Sequence, residues 1–425
     1  MSPRYTSVAP SAARLTESLR DIGYDFCSAI ADLVDNSIAA GANDIDVVVE
    51  FAGAASLVYV RDNGEGMRPN GISEALRFGS RRSYSSGDLG RYGLGLKTAS
   101  LSQCRSLTVL SRRTLERPTV HAKVLDLDLI AEFDDWLVVE AGSTSNVRRC
   151  KGLLKDNTGT VVLWEKLDRV VPEANASGAW ASRRFERLIE KTGAHLSMVF
   201  HRFLEGSLGR APVSIQVNGV KMSPWNPFAV SESGTVELGE ERFELASGDF
   251  CGTVRLNRYI LPNRDKFSAP GEFDRMSGPL KWNRQQGIYV YRSNRLVQWG
   301  GWAGLRSIDE HTKLARASLD FDTDLDTAFN INVSKMRVSI PPQLKVMIER
   351  SVAELASLAS DSYRKSPEGK NRGQKRDVVL DKDAAREIGI SLKSAALQAG
   401  EFDAFRKIVD LLKSDMPDIA ESLGL

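Results

Sequence analysis

The sequence has few residues of the kinds that build metal centres or disulfide frameworks. It contains 4 Cys and 4 His among 425 residues. The cysteines lie far apart without CxxC spacing, which favours buried thiols in a reducing cytosol over disulfide bridges. The histidines are scattered as well, so a zinc site is not expected. The four cysteines are Cys27, Cys104, Cys150 and Cys251.

Long apolar runs and a large charge imbalance are also absent. No run of about 18 apolar residues occurs, so no membrane span is expected. The first residues, "MSPRYTSVAPSAARL", lack the apolar core of a signal peptide, and a cytoplasmic location is therefore expected. The formal net charge is +2, which gives no indication of a nucleic-acid partner from composition alone. Hydrophobic content of 42% and charged content of 26% are typical of a globular protein, and the length predicts two or three domains.

The hydrophobic pattern predicts a first domain over residues 10–205. A helix over residues 11–40, interrupted at Gly23 and ended by Gly41, precedes the strands "DIDVVVEF" and "SLVYVRD". "ISEALRFG" and "LKTASLSQC" are predicted helices. Later strands are predicted at "SLTVLSRR", "VHAKVLDL", "WLVVEA" and "GTVVLWEKL", and a helical segment closes this domain.

Residues 206–345 are predicted to form a second domain that is rich in strands. It begins with "VSIQVNGVKM" and includes "CGTVRLNRYIL", "GIYVYRSNRLVQW" and "ARASLDFD". Residues 346–425 are predicted to be helical. They include a basic linker over residues 360–376 with little to bury.

The stretch "ADLVDNSIAAGA" places acid and amide groups inside a predicted helix. Asp32 and Asn36 are four residues apart and share one face. An amide oxygen suits a hard cation such as Mg²⁺, and a carboxylate can orient or deprotonate a water that attacks a phosphate. Taken alone, the two residues are better explained by a solvated helix face.

A second cluster, "RDNGEGM", follows a predicted buried strand. Asp62 can accept a hydrogen bond from an exocyclic amine such as that of adenine. Gly64 and Gly66 allow backbone geometry that lets a flat ring approach the chain. Taken alone, a simple turn with an Asp cap explains the cluster better.

The third cluster, "GRYGLGLKT", places three glycines before a predicted helix. Free N–H groups and the helix dipole there attract an anion, and Lys97 adds positive charge. Leu96 separates Gly95 from Lys97, so the segment is not a Walker loop. Gly93-x-Gly95 also lacks the third Gly of a dinucleotide fingerprint. Taken alone, the cluster is typical of a flexible loop.

The order and spacing of these clusters predict one nucleotide pocket, with a polar lid over residues 79–96. The sequence resembles the GHKL ATPases, which include gyrase B, heat-shock chaperone ATPases, histidine kinases and MutL. "ADLVDNSIAAGA", "DNGEGM" and "GRYGLGLKTAS" resemble their first three motifs. "NTGTVVLWEKL" resembles the later strand whose Thr, here Thr160, supports the adenine-binding Asp.

The resemblance implies ATP and Mg²⁺ as cofactors. It implies catalytic roles for Asp32 and Lys335 and magnesium coordination by Asn36. Nucleotide contacts are implied for Asn36, Asp62, Gly64, Gly66, Met67, Gly90, Gly93, Leu94, Gly95, Leu96, Lys97, Thr98 and Thr160.

Within the superfamily the sequence is similar to MORC ATPases, through "LVDNSI", "RFGS" and "GIYVYRSNRLVQWGGW". The last segment makes the second domain resemble the S5-like transducer domain of MORC, MutL and gyrase B. "NINVSKMRVSI" resembles the MutL segment whose lysine reaches the γ-phosphate, here Lys335; a surface lysine at a strand end is the alternative. The implied fold class is α+β: a GHKL (Bergerat) α/β sandwich, an S5-like transducer domain and a helical C-terminal segment.

Two positions depart from the family pattern. Asp32 stands where hydrolysing families carry Glu, and its side chain is one methylene shorter. A misplacement of about 1 Å can lower a rate on the order of a hundredfold, so slow hydrolysis or mere retention of ATP is expected. Ala39 stands where MORC and MutL proteins carry Asp, which affects hydrogen bonding at the helix end.

The resemblance implies an ATP-gated clamp. Triphosphate is expected to order the lid through Arg81, Arg82 and Arg91, as lid ordering in the relatives closes two N-terminal domains into a homodimer. The implied object is DNA, in prokaryotic genome maintenance or anti-phage defence, with operon-encoded proteins as further candidate partners. DNA cleavage is not expected, because zinc-finger, CW and endonuclease motifs are absent.

Two alternatives stay open. One is a chaperone-like ATPase that acts on protein clients. The other is a nucleotide-binding switch with little turnover, which Asp32 motivates. A histidine kinase is disfavoured, because no helix with a phospho-acceptor His precedes the pocket.

Overall fold

Two mixed β-sheets with helices packed on them dominate the computed structural model of this chain. The structure describes residues 10–21, 24–79, 95–116, 119–171, 178–206, 209, 211–247, 250–331, 338–365, 382–415, 420–421 and 423–425. The chain divides into two compact units, residues 1–361 and 362–425. Within the described residues, no helix has the length and apolar character needed to cross a bilayer.

The strands of the first sheet are β1 Asp44–Glu50, β2 Leu57–Asp62, β3 Ser106–Arg112, β4 His121–Asp126, β5 Val139–Glu140, β6 Gly159–Glu165, β7 Ser214–Val217 and β8 Val220–Lys221. Their order in the sheet is β5-β4-β3-β6-β2-β1-β7-β8. The β1–β7 pair is parallel, and the other neighbours are antiparallel.

The helices of this part are α1 Ala12–Arg20, α2 Phe26–Ala39, α3 Pro69–Leu76, α4 Gly95–Leu101, α5 Leu127–Phe133, α6 Ser145–Leu153, α7 Ala179–Val199 and α8 His201–Glu205. The predicted break near Gly23 is confirmed, because α1 ends at Arg20 and α2 begins at Phe26. The Asp25 side chain caps α2 by accepting from Ser28 N at 3.1 Å. Gly41 ends this helix turn with a positive φ of 75°, as glycine permits.

Side chains of the first sheet alternate between two apolar layers. Val58 and Val60 face the core that contains α2. The alternate residues of the same strand, Leu57 and Tyr59, pack in a second apolar cluster with α6. Helices on both faces therefore bury the middle strands, and Asp62 is the last residue of one of them, β2.

β7 and β8 belong to the first sheet, although the sequence assigns "VSIQVNGVKM" to the second domain. Ile215 pairs with Ile45 in the parallel β1–β7 ladder. Asn218 also caps this edge, because its side chain exchanges hydrogen bonds with the backbone of Val49 at 2.8 and 3.0 Å. The first sheet is therefore completed by residues that follow the predicted boundary at 205.

The second sheet has the order β12-β11-β13-β10-β9, with β11 and β13 parallel. One side is covered by a helix whose apolar residues recur every three or four positions, from Leu344 to Ala359. The other side carries an aromatic cluster that includes Trp225 and Phe228. The elements are β9 Val236–Ser247, β10 Phe250–Ile260, α9 Pro270–Met276, α10 Lys281–Gln285, β11 Gly287–Arg292, β12 Arg295–Gln298, β13 Ala315–Phe321 and α11 Pro342–Lys365.

The C-terminal unit contains helices α12 Lys382–Gln398 and α13 Phe402–Asp415. The predicted boundary at 346 falls inside α11, but the compact units divide only after residue 361. The reason is that α11 packs its apolar stripe on the second sheet. Residues 366–376 of the predicted basic linker lie outside the described residues.

The four cysteines are all free thiols. The prediction of burial is confirmed for Cys104 and Cys150. It is wrong for Cys251, which lies on β10 next to the edge strand of the second sheet and is exposed.

Candidate functional site

Helix α2 brings the three glycine-and-acid clusters together. Near its middle, Asp32 faces the first residue of α4: a Cβ atom on Gly95 would lie 3.5 Å from Asp32 Oδ2. One turn and a half later, Ser37 Oγ donates to Asp62 Oδ2 at 3.1 Å. The acid helix, the end of β2 and the start of α4 therefore meet along one helix.

Asp32 is buried, with 2% of its surface exposed. Tyr24 Oη donates a hydrogen bond to Asp32 Oδ2 at 2.7 Å. Burial of the phenol, followed by the charge of Asp32, raises the pKa of Tyr24, so this phenol remains a donor. The Thr98 hydroxyl hydrogen-bonds to the same Tyr24 and links α4 to the carboxylate.

Asn36 lies one turn after Asp32 and is exposed. Its neighbour Asp35 is completely buried, so Asp32, Asp35 and Asn36 of α2 have different surroundings. An exposed amide oxygen one turn from a buried carboxylate has the geometry for a cation that enters together with phosphate oxygens.

Asp62 is held at the end of β2 by a network of hydrogen-bond donors. Its Oδ1 accepts from Gly64 N at 2.9 Å and from Thr160 N at 3.1 Å. Burial raises the pKa of Asp62, and these backbone donors and the Ser37 hydroxyl oppose that rise. Thr160 therefore supports Asp62 through its backbone amide, whereas its hydroxyl lies 3.0 Å from Ser111 Oγ.

Gly64 and Gly66 are required by the protein's own packing. A Cβ on Gly64 would lie 2.8 Å from Ala40 O, at the end of α2. A Cβ on Gly66 would lie 2.0 Å from Arg112 O, and Gly66 has a positive φ of 65°. The next residue, Met67, donates its N–H to Ser111 Oγ at 2.7 Å. The glycines thus let the β2–α3 loop lie directly against α2 and β3.

Replacing Gly66 by Ala is expected to lower the free energy of unfolding by at least about 2 kcal/mol, since the added methyl meets a carbonyl oxygen at a positive φ. Denaturant unfolding measures this change. Gly142→Ala is the matched control, because a Cβ there has no heavy atom within 4 Å. Equal unfolding midpoints for the two variants would contradict the described loop packing.

Lys97 lies buried on α4 and donates to Ala75 O, near the end of α3, at 3.0 Å. Burial lowers the pKa of Lys97 to about 8, so the ammonium form still predominates at pH 7. Its neighbour Leu96 is partly buried against the core. Four predicted site residues lie outside the described residues: Gly90, Gly93, Leu94 and Lys335.

Arg295 is a site residue that the sequence did not single out. It lies on β12 of the second sheet, and its Nε is 2.7 Å from Asp35 Oδ2 while its Nη2 is 3.5 Å from Asp32 Oδ1. Arg295 and Asp32 are 263 residues apart in the sequence, so no local sequence pattern could connect them. The available signal in the sequence was the pair Asp32 and Asp35 inside an amphipathic helix, because two buried carboxylates need a cation from elsewhere in the fold.

Known proteins are similar to the part of the chain that carries this candidate site. A family model described as "Histidine kinase-, DNA gyrase B-, and HSP90-like ATPase" matches residues 24–160. The description of this model names the kind of ATPase that the sequence motifs resemble, and its match covers only this part of the chain. The matched segment starts at Tyr24 and ends at Thr160, and it contains Asp32, Asp62 and Lys97.

Curated relatives match over short stretches. The chain is 39% identical over 79 residues to ATPase MORC2B of Mus musculus, and 35% identical over 92 residues to Protein MICRORCHIDIA 1 of Arabidopsis thaliana. It is 32% identical over 123 residues to DNA mismatch repair protein MutL of Aliivibrio fischeri. The matches cover 17%, 20% and 28% of this chain and only 8%, 14% and 16% of those proteins.

A solved structure titled "Crystal Structure of N terminal domain of a DNA repair protein" is 17% identical, with a TM-score of 0.45. The match covers 83% of this chain and 96% of that one.

Proposed function

We propose that this chain binds Mg²⁺-ATP between α2, the β2–α3 loop and α4, hydrolyses it slowly, and uses ATP-driven dimerisation as a clamp on DNA. The observation that carries the nucleotide part is the buried Asp62 carboxylate, fixed by Gly64 N, Thr160 N and Ser37 Oγ. A fixed buried acceptor is what selective recognition of an adenine amine requires.

Other residues of the site are assigned to metal binding, phosphate binding and orientation of the attacking water. Asn36 supplies an oxygen ligand for Mg²⁺, and the ion neutralises phosphate charge when bound. We assign phosphate binding to the start of α4 and to Lys97, and Asp32 orients the attacking water from its position beside Gly95. Lys335 completes the site from the second domain, to which we assign an S5-like transducer role.

The clamp part rests on the relatives. MORC2B is named an ATPase, and MutL is named a DNA mismatch repair protein. A homodimer that closes on ATP binding and holds DNA is the function that we carry over to this chain. Its proposed setting is the prokaryotic cytoplasm, in genome maintenance or defence against phage.

One observation favours a second candidate, a nucleotide switch with little turnover. Asp32 is buried, and its two oxygens already face Tyr24 and Arg295. A carboxylate in this setting can hold its place beside the nucleotide without abstracting a proton quickly. The two candidates share ATP binding and differ only in turnover.

The decisive experiment measures the mass of the purified chain by light scattering, with Mg²⁺ and either a non-hydrolysable ATP analogue or ADP. The analogue is expected to produce a dimer, and ADP is the matched control that leaves a monomer. Retention of DNA by the dimer is expected to fall steeply as salt rises, because counterions are released on binding. A chain that stays monomeric at saturating analogue overturns the clamp.

A further inference from the structure

Arg295 connects the second sheet to the helix that carries the proposed hydrolytic carboxylate. Its guanidinium makes two ion pairs, with Asp35 at 2.7 Å through Nε and with Asp32 at 3.5 Å through Nη2. All three side chains are almost completely buried, with exposed fractions of 4% for Arg295, 2% for Asp32 and 1% for Asp35.

Two buried carboxylates three residues apart on one helix face repel each other. A guanidinium between them offsets that repulsion, and its delocalised charge reaches both carboxylates through different nitrogens. A lysine ammonium is a single point charge and cannot hold two acceptors in the same fixed directions. The residue type therefore fits a positioning task better than simple charge neutralisation.

The surroundings of the pair hold the guanidinium in place. Its carbon lies 5.9 Å from the centre of the Phe200 ring. On α7, burial and the positive charge of Arg295 lower the pKa of His195 to about 4, so this imidazole is neutral at physiological pH. On the other side of Asp32, Tyr24 donates to Oδ2. Asp32 is thus oriented by a donor on each oxygen.

We infer that Arg295 is a positioning residue for ATP hydrolysis. It holds Asp32 Oδ1 while Tyr24 holds Oδ2, so that the carboxylate faces Gly95, and Asp35 acts through Arg295 by anchoring Nε. The inference rests on the proposed ATPase function and deepens it, because the second sheet then supplies a side chain that positions the carboxylate for ATP hydrolysis.

The test compares Arg295→Met with Arg292→Met. Arg292 lies three residues earlier and makes a buried ion pair with Asp326 at 2.6 Å, so its loss also breaks a buried ion pair of the second sheet. Arg295→Met is expected to lower kcat by about a hundredfold through misplacement of Asp32, with the calorimetric Kd for ATP within about threefold of the unmodified chain. Arg292→Met is expected to keep kcat within about threefold.

A double-variant cycle separates positioning from general damage. Asp35→Asn is expected to lower kcat by about tenfold in the unmodified background. It is expected to cause no further loss of kcat in the Arg295→Met background, because we infer that Asp35 affects hydrolysis through Arg295. If Asp35→Asn lowers kcat by the same factor in both backgrounds, the inferred link from Asp35 through Arg295 to Asp32 is overturned. If Arg295→Met does not fold, Arg295→Lys carries the test, and full kcat in that variant overturns the inference.

Failure of the inference is distinct from failure of the proposed function. Normal ATP binding and turnover in the unmodified chain, with equal kcat for Arg295→Met and Arg292→Met, overturns only the role of Arg295. An unmodified chain that binds no ATP overturns both. An unmodified chain that binds ATP without turnover overturns the inference and leaves the switch as the function of the site.

Discussion

Replacing Asp62 by Asn is expected to weaken ATP binding by about a hundredfold or more, because the site then presents a donor where an acceptor is needed. Oδ1 is already committed to the Gly64 and Thr160 amides. The Asn amide must therefore turn its NH₂ group toward Ser37 and the nucleotide. The measurement is calorimetric titration with Mg²⁺ and a non-hydrolysable ATP analogue.

Asp44→Asn is the matched control for this experiment. Asp44 begins the neighbouring strand β1 and pairs with Arg61 at 2.7 Å, but its side chain is 38% exposed. Analogue affinity within about twofold of the unmodified chain is expected for the control, since Asp44 is partly exposed and its ion pair contributes little. An Asp62→Asn variant that folds and binds the analogue at unmodified strength would place adenine recognition elsewhere.

Replacing Asp32 by Asn is expected to lower ATP turnover by about a hundredfold or more and to leave the Kd for ATP within about threefold. The amide has nearly the same shape, and its single oxygen can still accept from Tyr24, so the change removes the charge, the basicity and the contact with Arg295. Phosphate release under steady state measures turnover, and titration with the analogue measures binding.

Asp25→Asn is the control on the same helix, because Asn is as good a helix cap as Asp. It is exposed and caps the start of α2, so turnover is expected to stay unchanged. If the Asp32→Asn variant keeps the turnover of the unmodified chain, Asp32 does not act on the water, and the chain works as a nucleotide switch.

The sequence predicts the parts of the site that depend on local pattern. Asp32 and Asn36 share a helix face, Asp62 ends a strand, and Gly95 starts a helix, and each of these statements follows from spacing over a few residues. The reason for Gly66 was not predictable, because the oxygen that excludes a side chain belongs to Arg112 on another strand. The order of the motifs predicted a pocket, but the contacts between the motifs can be seen only in the folded structure.

Nonlocal pairing explains the elements that the sequence missed or misplaced. β9 was missed because Val236–Ser247 is an edge strand with many charged residues and little apolar alternation. The predicted strand "WLVVEA" is a strand only at Val139–Glu140, where it pairs at the sheet edge with β4. In the sequence, Arg295 is only one residue of the strand segment "GIYVYRSNRLVQW". Its proposed role depends on contacts with Asp32 and Asp35 of α2, which is far away in the sequence.

The parallel pair of β1 with β7 constrains how this protein can be divided into fragments. A fragment that stops at residue 205 keeps α2 and the nucleotide motifs but loses the strand that covers one side of β1. It exposes a row of unpaired backbone groups along Ile45 and Val47, which is a template for association with other chains. A soluble recombinant piece of the first sheet therefore has to extend beyond Lys221, the last residue of β8.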